Sequence, residues 1–411
     1  SFFLHFSVIK IADTAYKSAN YVTFCTLASS NSNKATAIYE KCFGEISMKK
    51  LLLAATVATL TMSAAQAAPT VYGKLNVTVD NIDNNGFTDE SLVKVNSNAS
   101  RIGVKGEEKI TDELSAVYLA EWQVNTDGDG TDLGMRNRYI GIKSNGVGTL
   151  KVGRFDSYFK TAAGNNQDIF NDHNELDMTA VLAGEDRLNN VVGFETDKKL
   201  LGGLAFNVMF QQGESSTETS AASGLDAEKR DGFGDSISGS ITYDNKDMGL
   251  AAAVAANRAV ASKYNAYSAV GNVYSDAVRV TGSLDLTPMG VEGLVFGALW
   301  QTAQPTDDTV TVTSGTPAVV TSYKGLQEDA YGVTAAYTIP STPVKVKLQY
   351  ISATTERDGA DDRKQDLYGL GLDYQINKQA KFYSVVGQQK RDWLKENDAK
   401  TTIGLGMEYN F

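Results

Sequence analysis

The 411-residue chain is short of cysteine, histidine and proline, with two, two and six of them. Both cysteines, Cys25 and Cys42, fall in the first 47 residues. An exported remainder would therefore do without disulfides and depend on hydrogen bonding and packing. His173 is the only histidine after residue 67 and has no cysteine neighbour, so zinc has no ligand set there. Hydrolytic chemistry that needs a histidine beside a nucleophile or a second acid has little to build with. No run after Ala68 approaches the roughly 20 apolar residues of a membrane helix. That excludes a helical span only, because the strands of a membrane β-barrel carry a weak alternating signal. Positive charge is scarce as well. Setting aside residues 1–67 removes six lysines and three acids from totals of 38 and 49, leaving 32 basic and 46 acidic residues, net −14. So acidic a chain makes nucleic acid an unsuitable partner.

One apolar run stands near the front, in "MKKLLLAATVATLTMSAAQAAPTVYGK". Lys49 and Lys50 make a positive start, Leu51 to Met62 an apolar stretch, and Ala65-Gln66-Ala67 a small-residue cleavage site. A helix of a soluble domain would need an amphipathic stripe, and the run has none. Residues 48–67 are expected to be a signal peptide, with the mature chain starting at Ala68. A signal peptide works at a nascent N-terminus, so residues 1–47, which begin with Ser1, are expected to be an upstream translation artefact or an unstructured extension. The folded domain is then 68–411.

Within that domain alternation is pervasive. In "VYGKLNVTVD", Val71, Leu75, Val77 and Val79 share one face and Lys74, Asn76 and Thr78 the other. "VRVTGSLDL", "VKVKLQY" and the final "TIGLGMEYNF" behave alike, as period-two strands with one apolar and one polar face. The polar face includes charges, which a sandwich core rejects and a water-filled lumen accepts. Sixteen such segments run from 71–81 and 99–107 to 380–390 and 401–411, with 136–143 and 380–390 alternating poorly. The connections alternate long and short, from a first loop ending near Asn98 and the turn "EKITDE" onward, and "SNGVG" is a tight hairpin signal. All six prolines lie in connections or at strand edges. An even number of strands, short turns on one rim and long loops on the other predict an all-β transmembrane antiparallel barrel of 16 strands.

These segments resemble the trimeric general porins of Gram-negative outer membranes. "VYGKLN" is similar to the family's first strand, "SRIGVKGEE" to its second, and "RYIGIKSNGVGTLKVGRFDS" to its fourth and fifth. "GMEYNF", ending in Phe411, resembles the signal read by the barrel-assembly machinery. The resemblance implies a homotrimer in outer-membrane lipid and lipopolysaccharide, and a third loop, Asp156 to Asp186, folded into the barrel. It further implies acids on that loop, here Asp168, Asp172, Glu175, Asp177, Glu185 and Asp186. They would face basic residues on the wall: Lys74, Arg101, Arg136, Arg154 and Arg187, with Arg138 joining or replacing Arg136 by parity. Such opposed walls set up a transverse field that orients polar solutes. The competing reading is that each arginine merely pairs with an acid and holds the loop.

Other motifs fail. "DGDG" at Asp127 to Gly130 has Asp132 where a calcium loop needs glycine, and no metal or cofactor is expected. Trp122, Trp300 and Trp393 fall at loop-side strand ends, as an aromatic belt would. The function expected is passive diffusion of small hydrophilic solutes and ions. A substrate-selective channel for sugars or anions is the alternative. A sugar channel would want an aromatic ladder, while the inward positions are mainly Ser, Thr, Asn, Gly and charges. An outer-membrane enzyme is disfavoured for want of histidine, and a structural anchor is the remaining reading.

Overall fold

The computed structural model describes residues 68–130, 133–214, 218–219, 228–307, 311–314 and 319–411. The expected extension 1–47, the signal peptide 48–67 and Asp132 lie outside the described residues. Alternating segments become long antiparallel strands because each buries polar side chains inward and turns apolar ones out. The first four are β1 (Thr70–Asp83), β2 (Leu92–Ser97 and Arg101–Lys109), β3 (Leu114–Gln123) and β4 (Gly134–Ser144). Next come β5 (Gly148–Asp156), β6 (Arg187–Thr196), β7 (Leu204–Gln212) and β8 (Phe233–Asn245). The second half holds β9 (Leu250–Lys263), β10 (Asn272–Asp285), β11 (Leu294–Pro305) and β12 (Gln327–Thr338). It closes with β13 (Val344–Glu356), β14 (Arg363–Gln375), β15 (Ala380–Arg391) and β16 (Ala399–Asn410). β16 pairs with β1 from Lys74–Asn410 to Asp83–Thr401, so the sheet is a closed 16-strand barrel. Closure removes the unpaired edges that lipid would not tolerate.

Val71, Leu75 and Val79 on β1, Ile140 and Ile142 on β4, Leu150 and Val152 on β5, and Leu370 and Leu372 on β14 are exposed. In water so broad an apolar band would drive association, whereas around a barrel it meets hydrocarbon. On the loop side of that band, on neighbouring strands, Tyr331 meets Tyr350 edge to face at 5.9 Å and Tyr350 stacks on Tyr368 at 5.0 Å, beside the exposed Trp300. Tyr337, Tyr374, Phe382 and Tyr409 are exposed on the turn side. Facing inward, Asn76, Thr78 and Asp80 on β1 and Ser236, Ser238 and Ser240 on β8 are buried and polar.

Two expectations change, and a third observation finds its reason. The first long loop does not extend to Asn98: Leu92–Ser97 already pairs with β1, from Val77–Ser97 to Ile82–Leu92. The strand resumes at Arg101 after a break in which Ala99 takes a φ of 50° and the Ser100 hydroxyl accepts the Asn76 N–H at 2.9 Å. The polar "NSNAS" is therefore a kink within a strand. Trp393 leaves the belt and packs against an inward cluster with Tyr267 and Tyr323. The segment 380–390 alternates poorly because its inner face carries buried Tyr383 and Val385, against which the third loop packs.

That loop, between β5 and β6, contains α1 (Tyr158–Thr161), capped by Ser157, and α2 (Gly164–Gln167). It lies on inward side chains of distant strands. Phe170 rests where a Cβ on Gly369 would come within 2.8 Å, and Leu176 fills the space beside Gly387. Glycine at these wall positions is what leaves room for the loop.

Candidate functional site

The loop touches the wall on two sides. On the first, Asp172 bridges Lys74 of β1 and Arg101 of β2, at 2.5 Å to each. Lys74 and Arg101 are directly opposite in register, which puts both cations on one side of the carboxylate. Asp172 takes a φ of 72°, and its N–H donates to Asp177 Oδ2 at 2.8 Å, so the loop backbone is turned to aim the carboxylate at the wall. Burial disfavours the charged form of Asp172, but Lys74 and Arg101 outweigh it and hold the carboxyl below its usual range. Arg136 pairs with Glu121 at 2.5 Å, and Tyr72 donates to the same carboxylate at 2.9 Å. Arg187 pairs with Asp156 at 3.0 Å at the root of the loop. Glu175 pairs with Lys400 of β16.

The second side is dry. Glu185 pairs with Arg279 of β10, whose guanidinium also grips Gln301 and lies 4.3 Å from the Phe159 ring. The Ala183 N–H donates to Glu328 at 2.8 Å and its carbonyl accepts from Gln301 at 3.1 Å. Burial pushes Glu185 up against the pull of Arg279. Burial, with Asp177 and Glu185 nearby, pushes Asp168 up to about 8, and burial takes Asp186 to about 6 despite the Ser262 hydroxyl. His173 is driven down by burial, although Asp80 lies 3.8 Å from its Nε2.

Of the expected basic residues, the structure brings Lys74, Arg101, Arg136 and Arg187 to the loop side of the wall. Arg138 and Arg154 are placed elsewhere. They oppose one another in register, on the strand face that carries Ile140 and Val152. Ile140 and Val152 are 65% and 48% exposed, so this is the outer face. The reason is a bulge: the β3–β4 register shifts between Ala120 and Trp122, leaving Arg136 and Asn137 against one partner position. Counting by two from Arg136 to Arg138 therefore fails, and Arg138 stacks 5.2 Å over Trp122. Arg154 continues the alternation of Leu150 and Val152 outward, because the register shift beside it, between Gly153 and Phe155, places its extra residue on β6.

Sequence reading overlooked Lys347, which sits 3.0 Å from Asp373 and 4.7 Å from the Phe170 ring, and Lys381 and Lys400. The available signal was their place on the polar face of alternating segments. Arg279 and Glu328 carry that same polar-face signal and no more, since what makes them special is the loop folded onto them.

A closed barrel with an apolar girdle, a polar interior and a loop tied inside defines a β-barrel protein of the outer-membrane type. A family model of the Gram-negative porins matches residues 54–393; the chain belongs to that family and resides in the outer membrane. The major outer membrane protein P.IB of Neisseria sicca is 24% identical over 391 residues, covering 89% of this chain and all of that protein. Its namesake in Neisseria gonorrhoeae is 33% identical over 124 residues, covering 29% of this chain. That match spans 35% of the gonococcal protein, about a third of its length. Among solved structures, an anion-selective porin from Comamonas acidovorans superposes with a TM-score of 0.63 at 16% identity, over 84% of this chain and 99% of that one. Similarity at that level carries the fold.

Proposed function

We propose that residues 68–411 form a water-filled channel through which small hydrophilic solutes and ions diffuse passively. The observation that carries it is the Lys74–Asp172–Arg101 contact, a loop carboxylate set against two wall cations inside a polar barrel. On this reading the constriction wall is Lys74, Arg101, Arg136 and Arg187. Of the loop acids, Asp172 and Glu175 face cations, Asp177 orients Asp172, and Asp168, Glu185 and Asp186 hold the loop's buried side. The pairing alternative and the pore alternative merge: the ion pairs fix the loop, and the fixed charges then act on whatever passes. A catalyst would need a nucleophile beside a general base, and buried His173 is turned towards Asp80.

The same proposal includes export by the signal peptide 48–67, with 1–47 absent from the mature protein. Phe411, exposed at the turn-side rim and exchanging backbone hydrogen bonds with Gly73 at 2.9 and 3.0 Å, is accessible to the barrel-assembly machinery. A homotrimer set in lipid and lipopolysaccharide completes it. Refolded 68–411 in planar bilayers should show stepwise KCl conductance. Heat-dependent gel mobility reports folding, and a folded barrel without conductance would overturn the proposal.

A further inference from the structure

Among the described residues, every basic residue on the loop side of the constriction has a carboxylate partner, but three arginines at the long-loop mouth do not. Arg357 follows β13, Arg363 begins β14 and Arg391 ends β15. Parity with buried Thr355, Gln365 and Gln389 points all three inward. Among the described residues, none of them forms a salt bridge. They are held by rings instead. Arg357 lies 5.1 Å over Tyr323 and 5.2 Å over Tyr267, and Arg363 lies 4.1 Å over Tyr267 and 5.4 Å over Trp393. Arg391 lies 5.5 Å over Trp393 and 3.9 Å over Phe87, and Lys400 5.6 Å over Phe87. Aromatic ring and cation thus alternate from Tyr323 to Lys400, which pairs with Glu175 of the constriction loop.

A guanidinium stacked on a ring has its flat faces occupied and its edge donors free. Backbone carbonyls take one donor each: Arg363 Nη1 bonds Ala266 O at 2.7 Å and Arg357 Nη1 bonds Ser322 O at 3.1 Å. Among the described residues, the Nε donors of Arg357 and Arg391 and the Tyr267 hydroxyl are buried with no partner. Polar atoms in that state call for an acceptor. An oxyanion is the acceptor that also answers unbalanced positive charge, since carboxylate and phosphate match the guanidinium fork.

We propose that this ladder is a binding track for small organic anions bearing carboxylate or phosphate groups, which it gathers at the mouth and delivers beside Lys400 and the constriction loop. The inference rests on the channel reading above. It adds a recognised solute class and a place of recognition distinct from the constriction.

The test uses refolded 68–411 in planar bilayers, first in KCl alone. Absence of KCl conductance would sink the channel reading itself. With conductance established, citrate and pyrophosphate are added separately on the loop side, with neutral raffinose as control. Either anion should reduce or flicker the current at concentrations where raffinose does not. Arg363→Gln with Arg391→Gln should weaken that block by about tenfold or more, as expected when charge-assisted hydrogen bonds are lost. Arg363→Lys, which keeps the charge and loses the fork, should give an intermediate loss and serves should the double variant fail to fold. Block by citrate but not pyrophosphate assigns carboxylate solutes, and the reverse assigns phosphates. No block by either anion in the conducting wild type, or equal block in wild type and a folded variant, overturns the ladder.

Discussion

The third loop meets the barrel at two places that solve one electrostatic problem differently. At Lys74–Asp172–Arg101 the side chains keep between 11% and 19% of their surface in water, and one carboxylate serves two cations. At Glu185–Arg279 the exposures are 5% and 0%, and Gln301 and the Phe159 ring complete the shell. The first contact, with Glu408 Oε2 a further 3.8 Å from the Lys74 ammonium, keeps its charges where water can carry ions past them. The second leaves no access and a matched pair. A single loop thus has a working end and an anchoring end, and burial separates them.

The largest effect is expected from cutting the anchor. Arg279→Met strands Glu185 in a dry site, and removing one partner of a buried pair costs about 3–5 kcal/mol. The heat-modifiable band on gels should then convert at a clearly lower temperature. Joining it with Glu185→Leu removes the orphan charge and should recover most of the loss, because apolar replacement of a whole buried pair is often close to neutral. Equal destabilisation by the single and double variants would mean the pair is not what holds the loop.

pH distinguishes the two ends next. Asp168, raised to about 8, keeps in the folded state a proton that the unfolded chain releases near 3.9. Between these values the folded state binds more protons, so stability falls as pH rises and levels off above about 8. Asp186, raised to about 6, adds to the fall in the lower part of that window. Asp172 is lowered, so its contribution is present above the ordinary carboxylate pKa and is lost as pH falls through its folded value. Asp168→Asn mimics the protonated form and should flatten the decline between pH 5 and 8 by about 2–4 kcal/mol. Calorimetry in detergent across that range checks it; an unchanged slope would place the titration elsewhere.

The barrel was largely legible because each strand carries its own inward and outward sets, readable two residues at a time. Where the local rule breaks, reading broke with it. The kink at Ala99 hid the strand Leu92–Ser97, and the bulge at Arg136 and Asn137 sent Arg138 outside. The candidate site was legible only in part, for a different reason. The expected loop acids were six residues with no rank among them. What ranks them is the distant wall: Gly369 and Gly387 making room, Arg279 taking Glu185, and Lys74 and Arg101 taking Asp172. Those contacts span more than a hundred positions in some cases, and alternation within one strand contains no record of them.

At the working end, Lys74→Gln and Arg101→Gln should each make the channel more cation-selective, because each removes positive charge beside Asp172 with water close by. Reversal potentials under a KCl gradient read the shift directly. It should exceed that of neutralising an exposed loop charge such as Asp358, whose side chain is 62% exposed in its 3.6 Å pair with Lys324. Exposed charges are screened over a Debye length of about 10 Å at 0.1 M and about 3 Å at 1 M. Raising salt should therefore erase the Asp358→Asn effect well before the Arg101→Gln effect.

The smallest effect is expected from Arg154, and it is the most informative about the wall. Arg101 and Arg154 both stand on strands next to the constriction loop, and sequence alone places them in one set. The register separates them: Arg101 opposes Lys74 on the inner face, while Arg154 opposes Arg138 on the face of Ile140 and Val152. A charge outside the barrel reaches the permeating ion only across the wall, and at 1 M salt the lumen screens what arrives within about 3 Å. Arg154→Gln should leave the reversal potential at 1 M KCl unchanged. It should also be neutral or slightly stabilising, since like charges directly opposite on neighbouring strands repel by up to about 1 kcal/mol. If Arg154→Gln moved the reversal potential as far as Arg101→Gln, the side chain would have to face the lumen, and the strand faces of β4 and β5 would be the reverse of those described.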